Sequence, residues 1–151
     1  MKVSAITLGC KVNQYESQAM LAALENAGYT VTESQEESDV ILINSCTVTA
    51  TSDHKVRQML RRARRKAPTA VIVLTGCMTQ AFPEMAEELV EADIVLGNSN
   101  RRRLPEILRE FYSGRRRIVA IEPHKADEAF ESMQVEHFFE RTRAFIKIED
   151  G

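Results

Sequence analysis

The sequence predicts an α/β domain: an open, mostly parallel sheet with helices on both faces. Two observations carry that expectation. Runs of β-branched and apolar residues recur along the chain, most clearly at residues 3–8, 39–44 and 70–74, and a stretch of helical periodicity follows each. The runs are apolar throughout instead of alternating, as strands covered on both faces require. Strands that take turns with helices build parallel sheets.

Residues 3–8 are the first expected strand. Gly9, Cys10, Lys11 and Val12 make the turn, and Asn13 is placed to cap a helix, with Glu16 completing a capping-box pattern. Met20, Leu21, Leu24 and Ala27 form that helix's apolar stripe, and Gly28 stops it. Residues 29–33 are more polar and suit a short edge strand, with a polar crossover at 34–38. Residues 39–44 are the clearest buried strand. Past Cys46, Thr51, Ser52 or Asp53 can cap a helix running to Lys66, with Val56, Met59, Leu60 and Ala63 inward and Pro68 at the stop. Residues 70–74 make the next strand. Pro83 suits the first turn of a helix that points Met85, Leu89 and Val90 inward. A short strand at 93–96 and a turn over Gly97, Asn98, Ser99 and Asn100 lead to a helix at 101–112. Leu104, Ile107, Leu108 and Phe111 share one face of it, Gly114 ends it, and residues 117–121 make a last strand.

The chain has 151 residues, enough for one domain with a sizeable core. Its formal charge of −2 points by itself to neither a nucleic-acid nor a membrane partner. No apolar run approaches the roughly 20 residues that span a bilayer. The amino terminus lacks the apolar segment of a signal peptide, so a cytoplasmic location is expected. From residue 122 the pattern changes. Residues 122–143 are acidic and aperiodic, a linker by composition, and residues 144–148 are again strand-like. The expected organisation is a domain at 1–121, a linker at 122–143 and the start of a truncated further domain at 144–151.

Three cysteines close short stretches of one kind: Thr7-Leu8-Gly9-Cys10, Ile43-Asn44-Ser45-Cys46 and Thr75-Gly76-Cys77. An odd number without a signal peptide argues against a disulfide framework. The gaps of 36 and 31 residues each hold at least one strand–helix unit. Right-handed crossovers then place all three thiols on the carboxyl edge of the sheet. The expected strand order is 2-1-3-4-5, a Rossmann- or flavodoxin-like arrangement, with the strand of Cys10 central and the other two beside it. The order reverses between strands 1 and 3, where open α/β sheets bind ligands. Neighbouring strands lie about 4.8 Å apart, so thiols on adjacent loops can meet at one small inorganic centre.

Gly9 and Gly76 let backbone approach closely, and helix amino termini favour thiolates, so lowered thiol pKa values are expected. Asn13, Asn44, Ser45 and Thr47 are candidates to hydrogen-bond sulfur or cap the turns, with Gly76 beside them. A structural zinc site takes four ligands, and only His54, in the first turn of a helix, offers a weak fourth. A 4Fe–4S cluster on three thiolates leaves one iron open. Inert buried thiols, a thiol nucleophile and a zinc enzyme remain as alternatives. A nucleotide- or partner-binding module with inert thiols is weakened by the lack of G-x-G-x-x-G or a phosphate loop after strand 1.

The stretches from Thr7 to Ser17, from Asn44 to Thr49 and from Thr75 to Gln80 together resemble the amino-terminal domain of radical-SAM methylthiotransferases. The similarity covers residues 1–121, and residues 145–151 look like the lead-in to that family's radical-SAM domain, whose CxxxCxxC motif is absent here. The resemblance implies that Cys10, Cys46 and Cys77 ligate an auxiliary 4Fe–4S cluster whose open iron holds the sulfur or methylthio group. It implies a second 4Fe–4S cluster and S-adenosylmethionine in the missing domain, and no turnover by this fragment alone. The run from Gly9 to Ser17 looks most like the branch that methylthiolates carbon 2 of N6-threonylcarbamoyladenosine at tRNA position 37. Sibling branches modify isopentenyladenosine in tRNA or an aspartate of a ribosomal protein, and typically have Gln-Met-Asn or Pro-Lys-Asn where this chain has Lys11, Val12 and Asn13. The resemblance makes tRNA the partner and leaves the sulfur donor open.

The arginine-rich helix over 57–66 and the runs Arg101-Arg102-Arg103 and Arg115-Arg116-Arg117 are candidate phosphate contacts, weighed against solvated helix faces. His124 and His137 read as solvent-exposed residues of the tail. Met78 and Tyr15 read as packing residues.

Overall fold

The computed structural model describes residues 1–46 and 52–122. The elements in chain order are β1 (Lys2–Thr7), α1 (Lys11–Asn26), β2 (Thr30–Val31), β3 (Val40–Ser45), α2 (Ser52–Lys66), β4 (Val71–Gly76), α3 (Cys77–Ala81), α4 (Pro83–Glu87), β5 (Ile94–Leu96), a 3-10 turn (Asn98–Arg103), α5 (Leu104–Gly114) and β6 (Ile118–Ala120). The strands form one sheet of order β2-β1-β3-β4-β5-β6. Every pairing is parallel. The expected order therefore holds, with β6 added at the edge beyond β5. The middle of the three cysteine-bearing strands is β3, not β1, because β1 has β2 on its other side. The linker at 122–143 and the strand-like residues 144–151 lie outside the described residues, apart from Glu122.

β3 and β4 are buried along their whole length, as their unbroken apolar sequences require. Leu24, Leu42, Val73 and Leu108 belong to a core that packs α1 and α5 on one face of the sheet. Ile43, Leu60, Leu74 and Leu89 belong to a second core beneath α2, α3 and α4 on the other. Among the described residues no helix is long and apolar enough to cross a membrane.

Three local expectations need correction. α1 begins at Lys11 with Cys10 as its cap residue, so Asn13 and Glu16 are not a capping box but buried members of its first turns. Val90 is 75% exposed, because α4 stops at Glu87 and Ala86 and Leu89 take the inward positions. The expected helix from Arg101 begins only at Leu104, after the 3-10 turn. Pro105 sits in its first turn, where its missing N–H suits an α-helix start.

Several members of the arginine runs serve the fold. Arg64 donates to the Ala70 carbonyl (2.7 Å) and to Asp93 Oδ2 (2.6 Å), and Asp93 Oδ2 also accepts the Ile72 N–H (2.8 Å), which ties the end of α2 to the start of β4. Arg117 donates to the carbonyls of Ala92 (3.0 Å) and Leu89 (3.2 Å). Arg61 pairs with Glu91 at 3.1 Å, and Arg101 is buried. These four are therefore not free phosphate contacts. Arg62, Arg65 and Arg116 remain exposed.

Candidate functional site

Strand register brings the cysteine turns together. Thr7 on β1 lies opposite Asn44 on β3, and Asn44 lies opposite Thr75 on β4. From that row Cys10 is three residues further on, and Cys46 and Cys77 are two, so all three leave the same carboxyl edge on adjacent strands. The Leu8 N–H donates to the Asn44 carbonyl at 2.8 Å and carries the β1–β3 pairing to the brink of the turn. None of the cysteines forms a disulfide. Cys10 is exposed, and Cys46 and Cys77 are half-buried.

Asn13 is the hub of this edge. It is fully buried, although it stands in the first turn of α1. Its Oδ1 accepts a hydrogen bond from the Cys10 thiol at 3.2 Å. Its Nδ2 donates to Asn44 Oδ1 (3.1 Å) and to the Ser45 carbonyl (3.3 Å). Its side chain also favours the thiolate of Cys77. Asn44 Nδ2 answers by donating to the Asn13 carbonyl (2.9 Å) and to Ser17 Oγ (3.1 Å). Ser45 Oγ donates to the Thr75 carbonyl at 3.1 Å. Thus Asn13, Asn44 and Ser45 cross-link α1, β3 and β4 immediately beneath the thiols. Thr47 lies outside the described residues.

Two glycines make room. Gly9 has φ 143°, and a Cβ there would lie 2.7 Å from Cys46 Cβ, so the first two cysteine turns are in near contact. Gly76 has φ 115°, and a Cβ would lie 2.6 Å from both Asn44 Oδ1 and the Ser45 N. Both angles are in the region that favours glycine. Gly76→Ala is expected to cost on the order of 2–5 kcal/mol from backbone strain and overlap together. Gly114→Ala, where an added Cβ meets nothing within 4 Å, should change stability by no more than about 1 kcal/mol. Urea unfolding midpoints of the two variants test the contrast, and equal midpoints would refute the tight approach at Gly76.

The expectation of uniformly lowered thiol pKa values fails at Cys77. Burial pushes that thiol up, with the charge of Glu16 and the neighbouring Cys46 adding to it. Arg101 and the Asn13 hydrogen bond pull the other way. α3 is a single short turn at Cys77, too short to outweigh desolvation. A thiol raised in this way is ionised outright by a metal that binds it.

Two residues of the site were missed in the sequence. Glu16 and Arg101 form an ion pair of 2.6 Å between Oε1 and Nη1, with side chains 4% and 1% exposed. Arg101 stands in an arginine run and reads as solvated. The legible signal was Glu16, which is four residues before Met20 and eight before Leu24, in line with the buried face of α1. His54, weighed as a fourth ligand, is exposed on α2 and lines a groove with Arg57, Arg61, Arg65 and Glu91 that contains none of the cysteines.

The donor set suits soft metal ions: three thiols on separate loops, with close-approach glycines beside two of them. Thr75 Oγ1 and Gln14 Oε1, which adjoin the cysteine turns in sequence, are buried without a hydrogen-bond partner. Among the described residues no group of three His, Cys, Asp or Glu side chains is arranged to hold one metal ion.

Comparison with known proteins identifies the family of the chain. Residues 2–97, which carry β1 to β5 and all three cysteine turns, match the family described as "Uncharacterized protein family UPF0004". The threonylcarbamoyladenosine tRNA methylthiotransferase MtaB of Bacillus subtilis (strain 168) is 38% identical over 145 residues, 96% of this chain and 32% of that protein. MtaB of Aquifex aeolicus (strain VF5) is 35% identical over 100% of this chain and 37% of its own length. The tRNA-2-methylthio-N(6)-dimethylallyladenosine synthase of Sulfurihydrogenibium sp. (strain YO3AOP1) is 39% identical over 126 residues, 81% of this chain and 29% of that protein. The chain spans about a third of the length of these curated relatives.

Proposed function

The chain belongs to the UPF0004 family, the amino-terminal domain of the methylthiotransferases, and on that premise we propose that it is the cluster-binding domain of a tRNA methylthiotransferase, with Cys10, Cys46 and Cys77 as ligands of an auxiliary 4Fe–4S cluster. The carrying observation is the delivery of three thiols to one carboxyl edge by adjacent parallel strands, with the buried Asn13 bonded to the first of them. The cluster, when bound, supplies an iron that the chain leaves without a fourth thiolate, open to a sulfur or methylthio ligand. The chain's own residues hold the geometry. Asn13 fixes the Cys10 thiol, Gly9 and Gly76 admit the close turns, and α1 directs its amino-terminal N–H groups toward the Cys10 turn.

Of the two substrates named among the relatives, threonylcarbamoyladenosine is supported by Lys11 and Val12 in the first turn and by the MtaB matches over nearly the whole chain. A full-length protein built on this domain acts on tRNA in the cytoplasm and draws its radical from S-adenosylmethionine bound in a domain that follows. Residues 122–143 serve as the linker to it and residues 144–151 as its start.

Anaerobic reconstitution with iron and sulfide tests the ligand assignment. The parent chain should turn brown and take up about four irons. The triple variant Cys10→Ala/Cys46→Ala/Cys77→Ala should take up none specifically. Equal iron in the two overturns the reading.

A further inference from the structure

The exposed face of α2 is basic along its length. Seven of its 15 residues are Lys or Arg and one, Asp53, is acidic, in a chain whose net charge is −2. Val56, Leu60 and Ala63 are buried against the sheet. Lys55, Gln58, Arg62 and Arg65 are exposed and recur at i, i+3, i+7 and i+10, so they form one stripe over about 15 Å of helix. The remaining cations of α2 have carboxylate partners on neighbouring elements: Arg57 with Glu88 (3.9 Å), Arg61 with Glu91 (3.1 Å), Arg64 with Asp93 (2.6 Å) and Lys66 with Glu36 (3.5 Å). The stripe itself carries no acidic residue. A helix face that only meets water gains from opposite charges at i, i+4, whereas Arg61 with Arg65 and Arg62 with Lys66 set like charges there. The helix dipole favours Arg64, Arg65 and Lys66 in the last turn, but it disfavours Lys55 in the first. Neither packing nor helix stability therefore accounts for the stripe.

We infer that the stripe from Lys55 to Arg65 is a docking surface for the phosphate backbone of an RNA stem. The choice of polyanion rests on the reading of the chain as part of a tRNA-modifying protein. The chemistry of the surface selects backbone over bases. Planar guanidiniums pair with phosphate oxygens through two hydrogen bonds at once. Neither the stripe nor the groove beside it, which Gln58 and Arg65 also line, carries an aromatic ring on which an unpaired base could stack. Contacts to phosphate position a nucleic acid without reading its sequence. The placement of the helix gives the stem a direction. Arg64 ties the carboxyl end of α2 to Ala70 and Asp93, at the edge where β4 and β5 begin. The amino end, with Lys55, therefore lies toward the opposite edge, where the thiols are. A stem lying along the stripe points one of its ends toward the cysteine turns.

The test is fluorescence anisotropy of a labelled RNA hairpin titrated with the 151-residue chain at several salt concentrations, without iron. The parent should bind with an affinity that falls steeply as salt rises. Arg62→Gln and Arg65→Gln should each bind several-fold more weakly and lower the slope of log affinity against log salt by about 1, the share of one phosphate. Both positions are exposed, so both variants should keep the parent's urea midpoint. Arg116→Gln removes the same charge from an exposed position outside α2 and should leave affinity and slope unchanged. A hairpin with a different stem sequence should bind as tightly as the first. A parent that does not bind, α2 variants that bind like the parent, or an equal loss in Arg116→Gln overturns the inference. So does a strong preference between stem sequences. Displacement of the hairpin by polyglutamate at equal charge would mark a site for an acidic protein and overturn it as well. A chain that takes up iron but does not bind the hairpin overturns this inference alone. One that binds the hairpin through Arg62 and Arg65 but takes up no iron overturns the ligand reading alone.

Discussion

Arg101→Ala is expected to cost the fold about 3–5 kcal/mol, the loss typical of stripping one partner from a buried ion pair. The truncation leaves the Glu16 carboxylate at 4% exposure without its 2.6 Å guanidinium partner. It also removes a donor from Asn98 Oδ1 and opens a void between the 3-10 turn and α1. The exposed arginines supply the contrast. Arg62→Ala and Arg65→Ala should fall within about 0.5 kcal/mol of the parent, as surface substitutions usually do. Glu16→Met/Arg101→Met removes both charges and fills the volume, so it should be more stable than either single methionine variant. Urea unfolding of the four proteins in a double-mutant cycle measures the coupling. A loss below about 1 kcal/mol in Arg101→Ala would mean that the guanidinium is solvated in solution and that the buried pair does not form.

Asn13→Ala is the second large effect, and it reaches the site directly. The substitution orphans Asn44 Oδ1 and the Ser45 carbonyl and frees the Cys10 thiol. Each unsatisfied buried polar group costs about 1–3 kcal/mol, and partial relaxation brings the expected total to about 2–4 kcal/mol. Asn13→Asp separates packing from chemistry. It keeps the shape, but a carboxylate cannot donate to Asn44 Oδ1 or to Ser45, and it sets a negative charge beside two cysteines. It should therefore hold less iron than the parent after reconstitution, even when the folded fractions are matched. Full iron uptake by Asn13→Asp would remove Asn13 from the site's working parts.

The fold was largely legible because its signal is local. Unbroken apolar runs at β3 and β4 mark strands covered on both faces, and the stripe of Leu104, Ile107, Leu108 and Phe111 marks the inner face of α5. Val90 was misread for the same reason. Its apolar character suggested an inward face, but α4 is only Pro83–Glu87 and ends before it. The arginine runs misled in the opposite direction. Arg64 and Arg117 spend their donors on carbonyls at strand starts and helix ends, a use that no run of basic residues announces.

By itself, then, the sequence determined the alternation of strand and helix, the parallel order that follows from it, and the delivery of Cys10, Cys46 and Cys77 to one carboxyl edge. Crossover handedness and strand spacing suffice for that much. The tertiary structure alone decided that Asn13 leaves its capping role to become the buried hub, and that Glu16 meets Arg101 across 85 residues of chain. The physical reason is the reach of each signal. Hydrophobic periodicity reports whether a residue is buried, and it does so within one element. A buried polar group is defined by its partner, and these partners are brought together only when separate elements pack.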